Sequence, residues 1–287
     1  MRAHRFDDNP IIRPHMDKRM GDNINGPSLI RVPDWVTNPL GRYYLYFAHH
    51  QGTYIRLAYA DSLAGPWRIH TPGVLELRES LFNAHIASPD VRVQDDRREI
   101  RMYFHGARLP EPPHQFTRLA ISSDGLHFAV RPEILGEFYW RTFEWAGYHY
   151  ALCMPGKFYR SKDGLTGFEL GPTLFGPNMR HSAVRLDGDT LEVFYSRAGD
   201  CPERILLSRI RLGPDWMKWT ASEPITVLEP ELDYEGTDLS LEASKRGSIH
   251  APARQLRDPC LYEEAGKWYL LYAVAGERGI AIAELTS

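Results

Sequence analysis

One sequence pattern recurs five times along the 287 residues and limits the chain to a few all-β architectures. In each copy a polar turn with an acidic or histidine residue precedes an apolar strand, a Gly- or Asp-containing turn and an aromatic strand. The copies begin at Gly26, Ser88, Tyr139, His181 and Asp258. A third strand of alternating polarity follows, as half-buried strands require. Repeats of about 40–60 residues with three or four short strands are typical of propeller blades. The sequence therefore predicts a five-bladed β-propeller.

Turn chemistry agrees with this repeat. Asp124-Gly, Asp163-Gly and Asp187-Gly are hairpin signals, and helical periodicity is almost absent. We predict one domain over residues 1–287, with blades at approximately 22–80, 81–136, 137–177, 178–230 and 250–287 and an N-terminal strand within 1–21 closing the ring. The segment 229–256 lacks strand alternation, and loops of that length are usually functional or disordered. A β-sandwich is the alternative architecture.

Composition narrows the partners. The formal charge is −3 and the basic residues are scattered, so the chain lacks the positive patch of a nucleic-acid-binding protein. No apolar run approaches the ~20 residues that span a bilayer, and the first residues lack the apolar core of a secretory signal. Three cysteines without metal-ligand spacing fit a reducing compartment. We therefore expect a cytoplasmic protein without a nucleic-acid or membrane partner, and the oligomeric state stays open.

The starts of the inner strands converge at one mouth of a propeller's channel. The polar residues predicted there are Asp22, Asn25, Asp90, Glu137, Arg180, His181 and Asp258. Carboxylates gathered in one pocket shift one another's pKa values, which separates an acid from a base. Glycoside hydrolysis needs such a pair. Aromatic residues near the rim, among them Tyr139, suit stacking on sugar faces or packing between blades.

Short motifs along most of the chain resemble a known family. Asn9-Pro-Ile-Ile-Arg-Pro, Gly26-Pro-Ser-Leu-Ile, Ala87-Ser-Pro-Asp-Val, Gly147-Tyr-His-Tyr and Arg257-Asp-Pro look like glycoside hydrolase family 43 and its relatives in families 32 and 117. The resemblance implies a five-bladed hydrolase with a blade-one Asp as general base, a blade-two Asp as pKa modulator and a blade-three Glu as general acid. Asp90 matches the modulator, and Glu137 or Glu144 matches the acid. Gly26 stands where the family has its base, which departs from the pattern.

Other residues offer a replacement for the missing base. Asp258 lies in an Arg-Asp-Pro motif like that of the family 32 relatives, and the long segment offers Glu235, Asp238 and Glu242. His250 is either an acid or a surface residue. An Asp beside Pro at a strand start is also a common turn-former, which would explain Asp90 and Asp258 without catalysis.

Basic residues near the mouth have two interpretations each. His181 would hold a channel cation or a water. Arg180, Arg254 and Arg257 would bind a carboxylated or sulfated sugar or pair with the acidic ring. We assign no metal and no cofactor, leaving room for a structural cation in the channel.

These observations predict a glycosidase that acts on the end of an oligosaccharide or polysaccharide fragment. The predicted catalytic residues are Asp90, Asp258, Glu137, Asp22 and Glu242, and the predicted substrate-binding residues are Asn25, His181, Arg180, His250, Tyr139, Glu235 and Arg257. A glycan phosphorylase or transferase and a non-catalytic carbohydrate-binding propeller are the alternatives, since fold does not fix function.

Overall fold

The computed structural model describes residues 1–110 and 115–286 and contains five antiparallel sheets arranged as blades around a channel. The predicted fold class, an all-β five-bladed propeller, is confirmed. Helical structure in the described residues is limited to three 3-10 turns, Leu77–Glu79, Trp216–Lys218 and Asp233–Glu235. No helix in this part of the chain is long and apolar enough to cross a membrane.

Apart from β1 (Arg2–Arg5), each blade is built from strands that are consecutive in the chain. Blade one contains β2 (Asn25–Arg31), β3 (Tyr43–Ala48), β4 (Tyr54–Ala60) and β5 (Arg68–Glu76). Blade two contains β6 (Ile86–Gln94), β7 (Glu99–Ala107), β8 (Gln115–Ser122), β9 (Ala129–Val130) and β10 (Gly136–Glu137). Blade three contains β11 (Arg141–Trp145), β12 (Tyr148–Cys153), β13 (Lys157–Ser161) and β14 (Glu169–Thr173). Blade four contains β15 (Met179–Asp187), β16 (Thr190–Arg197), β17 (Ile205–Arg211) and β18 (Ile225–Leu228). Blade five contains β19 (Arg257–Glu264), β20 (Lys267–Ala273) and β21 (Ile280–Thr286).

The N-terminal strand closes the ring. Strand β1 pairs antiparallel with β21, so the first strand of the chain is the outer strand of the last blade. Arg5, at the end of β1, forms two hydrogen bonds of 2.8 and 3.0 Å with the buried carboxylate of Glu235 in the long segment between blades four and five. The closure therefore fixes this segment against the ring as well as joining the two ends of the chain.

Apolar side chains fill the spaces between neighbouring blades. Leu45 and Phe47 of blade one pack in one cluster with Leu271 and Ile282 of blade five, and all four are fully buried. Between blades three and four the filling is aromatic, with Trp219 packed against Phe158 and other rings. Because side chains alternate along a strand, each strand contributes apolar side chains to both faces of its blade. The polar residues at the starts of the inner strands lie at the channel instead.

Four inner strands share a β-bulge near their first residue. The register shifts between Asn25 and Ser28 in β2, and at the matching places in β6, β15 and β19. Three residues at the same bulge position, Gly26, Ser88 and Asp258, have positive φ angles of 61°, 49° and 49°. Asp258 is thus the register equivalent of Gly26, whereas Asp90 lies two positions further along its strand, where blade one has Ser28.

Asp90 joins two blades. Its Oδ2 accepts hydrogen bonds from the backbone N–H of Thr142 at 2.8 Å and from the Thr142 hydroxyl at 2.7 Å. The equivalent Ser28 does the same one blade earlier, because its Oγ accepts from the Val91 N–H at 2.9 Å. The channel edge of an inner strand has no strand partner, and these side chains satisfy N–H groups there.

Replacing Asp90 with alanine should lower the free energy of unfolding by about 2–3 kcal/mol, because a buried N–H and a hydroxyl lose a charged acceptor. Urea unfolding of the two proteins measures the difference. The control is Asp96→Ala in an exposed turn, where the side chain is 77% accessible and a change within about 0.5 kcal/mol is expected. Equal stability of Asp90→Ala and the wild type would show that the contact between blades is dispensable.

Candidate functional site

The site lies at the mouth where the inner strands begin, and its floor is a stack of three rings. Tyr139 lies between His105 and His181, with ring centroids 4.7 and 4.2 Å away. His181 contributes its Nδ1 to an ion-pair contact with Asp258, and the Tyr139 hydroxyl donates to Asp258 Oδ1 at 3.4 Å. All four residues are buried. The stack therefore holds one carboxylate in a fixed position.

Electrostatics keep that carboxylate ionised. Burial disfavours the charged form of Asp258, but the attraction and hydrogen bond of His181 outweigh burial, and the pKa of Asp258 lies below its usual value. Burial lowers the pKa of His181 and places that of His105 well below the usual value. Near pH 7 Asp258 is consequently ionised, with the rings of the stack packed around its carboxylate.

Asp258 is also strained and incompletely hydrogen-bonded. Its φ of 49° lies in the left-handed region, which a residue other than glycine rarely adopts and which costs of order 1–3 kcal/mol. Its Oδ2 is buried, and no group in the described part of the chain forms a hydrogen bond with it. Strain and unsatisfied buried acceptors cluster at functional sites. Gly26 and Ser88 share the positive φ at the same bulge position, so the unpaired buried oxygen is what marks Asp258 as the best candidate for chemistry.

A second buried carboxylate, Glu277, lies in the loop between β20 and β21. Its Oε2 accepts a hydrogen bond from the Asn23 amide at 2.6 Å, and its Oε1 lies 3.1 Å from both His50 Nδ1 and an Arg257 nitrogen. Burial opposes ionisation, but the hydrogen bond and charge of His50, with Arg257 and Asn23, lower the pKa of Glu277 to about 2. Unlike Glu277, His50 is partly exposed, at 22% of its side chain.

A third carboxylate, Glu203, follows Pro202 in the loop between β16 and β17 and is fully buried. It lies 3.3 Å from Arg180 and 3.2 Å from Arg257, and it accepts the Ser196 hydroxyl at 2.7 Å. Arg180 also donates to the backbone carbonyls of Lys245 and Gly247, at 2.9 and 3.2 Å. The same charge network therefore holds the long segment over the mouth.

Glu203 and Glu277 were missed by the sequence reasoning, which searched only the starts of the inner strands and the long segment. Both lie in loops that join the second and third strands of a blade. In an antiparallel blade these loops end at the same mouth as the inner-strand starts. A search of those loops for acidic residues after Pro or Gly would have found both.

The predicted blade-start residues occupy different surroundings. Asp22 is at the rim, 52% exposed, and pairs with Arg278. Asn25 is buried, and its amide donates to Asn23 Oδ1 at 3.4 Å. Asp90 lies two positions further along its strand than the bulge residue and accepts hydrogen bonds from Thr142 of the next blade. The structure thus brings Asn25, Tyr139, Arg180, His181, Arg257 and Asp258 together at the mouth.

Two predicted acids lie apart from this group. Glu137 is in the outermost strand of blade two, β10, and pairs with Lys157 at 2.5 Å. Strands β8 and β7 separate it from the inner strand of its blade. Glu144 is at the opposite end of β11, 3.2 Å from His149. The structure therefore does not bring either side chain to Asp258.

The long segment divides into an anchored part and a cavity wall. Glu235 is fully buried, and besides Arg5 it accepts the Tyr272 hydroxyl at 2.9 Å, so its contacts are structural. Asp238 is exposed. Glu242 and His250 are also exposed and line a cavity of about 500 Å³ that Arg254 and Arg257 border too.

Within the described residues, no three His, Cys, Asp or Glu side chains are arranged to hold a metal ion. The assignment of no metal and no cofactor stays a prediction.

Comparison with known proteins places this geometry in a structural class. No family profile matches the chain. A GH43_1 enzyme from Xanthomonas citri, solved with xylose, has a TM-score of 0.64 at 12% identity over 96% of this chain and 90% of that chain. A GH43 beta-xylosidase/alpha-arabinofuranosidase from a compost metagenome, solved with xylotriose, has 0.63 at 14% identity over 99% and 95%. A structure from the GH130 family of mannoside phosphorylases, which contains hydrolases of beta-1,2 mannosidic linkages in Candida mannan, has 0.69 at 11% identity over 99% and 93%.

The chain accordingly has the fold of the five-bladed propellers found in glycoside hydrolase families 43 and 130. The sequence motifs implied the resemblance to family 43. The sequence family of the chain is narrower. The uncharacterized protein R118 of Acanthamoeba polyphaga mimivirus is 38% identical over 319 residues, which cover 98% of this chain and 89% of the relative. The chain belongs to the same family as that viral protein.

Glu277→Gln should lower the free energy of unfolding at pH 7 by about 3 kcal/mol, because the carboxyl pKa drops on folding from 4.5 to about 2. A lowered folded pKa gives stability that is complete above 4.5 and lost as the pH falls towards 2. The gap between wild type and variant should therefore close between those values.

Urea unfolding at stepped pH values measures this gap. Glu79→Gln, whose side chain is 57% exposed, is the control and should track the wild type at every pH. A gap for Glu277→Gln that stays constant from pH 7 to pH 2 would rule out the buried ionised carboxylate.

Proposed function

We propose that the protein is a glycosidase whose active site is the channel mouth around Asp258. The observation that carries this proposal is the Asp258 carboxylate itself. It is buried and ionised, its backbone is strained, and its Oδ2 has no partner among the described residues. The positive φ belongs to the bulge that Gly26 and Ser88 share, but the fold does not require a carboxylate at this position, because blades one and two have neither Asp nor Glu there.

The proposed role of Asp258 follows from its charge. An ionised carboxylate activates a water molecule or attacks the anomeric carbon, whereas it is unable to donate a proton to the leaving oxygen. His181 holds the carboxylate in orientation through its Nδ1, and the Tyr139 hydroxyl supports Oδ1 from the same side. These contacts leave Oδ2 for the reaction.

The proposed proton donor is a histidine, whereas the family pattern has a Glu of blade three in this role. Glu277 is ionised near pH 7, so it is unsuitable as an acid. His50 is partly exposed, is fixed by Glu277 through its Nδ1, and carries the imidazole that enzymes use most often for proton transfer. We therefore propose His50 as the general acid, with Glu277 as the residue that positions it.

Carbohydrate is the proposed substrate, bound from its end. The cavity of about 500 Å³ beside Arg257 falls within the size range of small-ligand sites and accommodates roughly one or two sugar rings. The long segment forms its wall and is tied down by Arg180, which limits access by an unbroken polysaccharide chain. The xylose and xylotriose complexes of the family 43 enzymes support the choice of ligand class.

Purified protein should release monosaccharides from a panel of aryl glycosides and oligosaccharides, and Asp258→Asn should reduce kcat/KM at least ~10³-fold, since a reacting carboxylate is lost. His50→Gln should lower kcat at least ~10²-fold, which is the usual contribution of a general acid. Asp96→Asn, in an exposed turn of blade two, is the matched control and should retain full activity.

Three results would overturn parts of this proposal. Undiminished turnover by Asp258→Asn removes the site assignment. Turnover that requires inorganic phosphate makes the protein a glycan phosphorylase. Tight sugar binding by calorimetry without any product after long incubation makes it a carbohydrate-binding propeller.

A further inference from the structure

The cavity bordered by residues 239–257 has an unusual balance of charge. Three basic side chains, Lys245, Arg254 and Arg257, line it, whereas Glu242 is the one acidic residue on its wall. Ser248 and Gln255 add neutral polar groups, and His250 adds a titratable one. A polar cavity of about 500 Å³ with excess positive charge is suited to a ligand with a negative group.

Two of these basic side chains have no ion-pair partner among the described residues. Arg257 is committed, because Glu203, Glu277 and Gln255 all contact its guanidinium. Arg254, by contrast, makes one long hydrogen bond, from Nη1 to the Thr237 carbonyl at 3.4 Å.

Apart from the bond to Thr237, the donors of Arg254 have no acceptor among the described residues. Its Nε is buried without a partner in the described residues, and neither Arg254 nor the exposed Lys245 has a carboxylate within ion-pair distance there. A guanidinium has five N–H donors, and leaving one buried and unpaired costs about 1–3 kcal/mol. Arg254 and Lys245 are thus available to a ligand.

We propose that this cavity binds the carboxylate of an acidic sugar, so that the substrate is a uronate-containing glycan. The planar fork of Arg254 matches a carboxylate with two parallel hydrogen bonds. Charge favours a monoanion, because Glu242 offsets one of the two available cations, whereas a phosphate group carries about −1.5 to −2 near pH 7.

The cavity also lies next to the proposed reaction centre. Arg257, which borders the cavity, directly precedes Asp258 in β19 and contacts Glu277 at 3.1 Å. A sugar carboxylate on Arg254 would therefore orient the rest of the ligand towards the channel mouth. This inference rests on the proposed function, because a bound uronate is a substrate only if the protein is a glycosidase. Binding of the uronate itself is tested without turnover.

The experiment compares binding of glucuronate and galacturonate with that of glucose and galactose by isothermal titration calorimetry. Wild-type protein should bind at least one uronate ~10-fold more tightly than its neutral sugar, and the preference should shrink as salt is added. Arg254→Gln should abolish the preference, and Glu242→Gln should increase it several-fold. Arg211→Gln, a 75% exposed arginine on blade four, should leave it unchanged.

Urea unfolding of Arg254→Gln confirms that the variant is folded before its affinity is interpreted. Equal affinities for acidic and neutral sugars overturn the inference, as does an Arg254-dependent site for inorganic phosphate that takes neither uronate. Arg254-dependent uronate binding without cleavage of any glycoside would support the acidic-sugar site and overturn the glycosidase instead.

Discussion

A single guanidinium organises the channel mouth. Arg257 lies 3.2 Å from Glu203 and 3.1 Å from Glu277, and the three side chains are almost completely buried. Each ion left alone in that position would cost several kcal/mol, so the two carboxylates and the arginine are stable only together. Glu277 extends the network to Asn23 and His50 beside blade one, and Glu203 extends it through Arg180 to the long segment. Blades four, five and one are thereby joined at the mouth by charge, while apolar packing joins them elsewhere.

The same five-fold geometry uses equivalent positions for different tasks. Blade two places a carboxylate at the position of Ser28, where Asp90 receives two hydrogen bonds from Thr142 of the next blade. Blade five places its carboxylate two positions earlier, at the bulge, where Asp258 meets the ring stack. A difference of two positions along the inner strand thus separates Asp90, which links two blades by hydrogen bonds, from Asp258, the candidate reactive group.

The sequence was sufficient for the architecture because the repeat determines it. Turn residues and alternating strands recur with the period that is typical of propeller blades, and contacts between residues far apart in sequence play little part in that inference. The mouth was only partly predictable. Asp258, His181, Tyr139 and Arg257 were found at blade starts, because position along the strand fixes the height in the channel. Glu137 was placed there by the same rule, but the chain first adds β10 to blade two and enters blade three only at Arg141.

Register explains the rest of the difference. Asp90 follows a proline and Asp258 precedes one, in motifs that look alike. Only the pairing of each inner strand with the second strand of its blade shows that the two residues occupy different positions. Glu203 and Glu277 depend on arginines far away in sequence, so neither their burial nor their charge follows from local pattern. Long-range ion pairs and strand register are properties of the folded chain rather than of any short segment.

We propose that chemistry takes place at Asp258, at the end of the channel where the inner strands begin. A crystal structure of the Asp258→Asn variant soaked with an oligosaccharide cleaved by the wild type tests this most directly. We expect a sugar ring at this mouth, with an oxygen within about 3 Å of the residue 258 side chain. A sugar bound instead in the cavity at the other end of the channel, beside Arg92, Glu144 and Trp268, would contradict it.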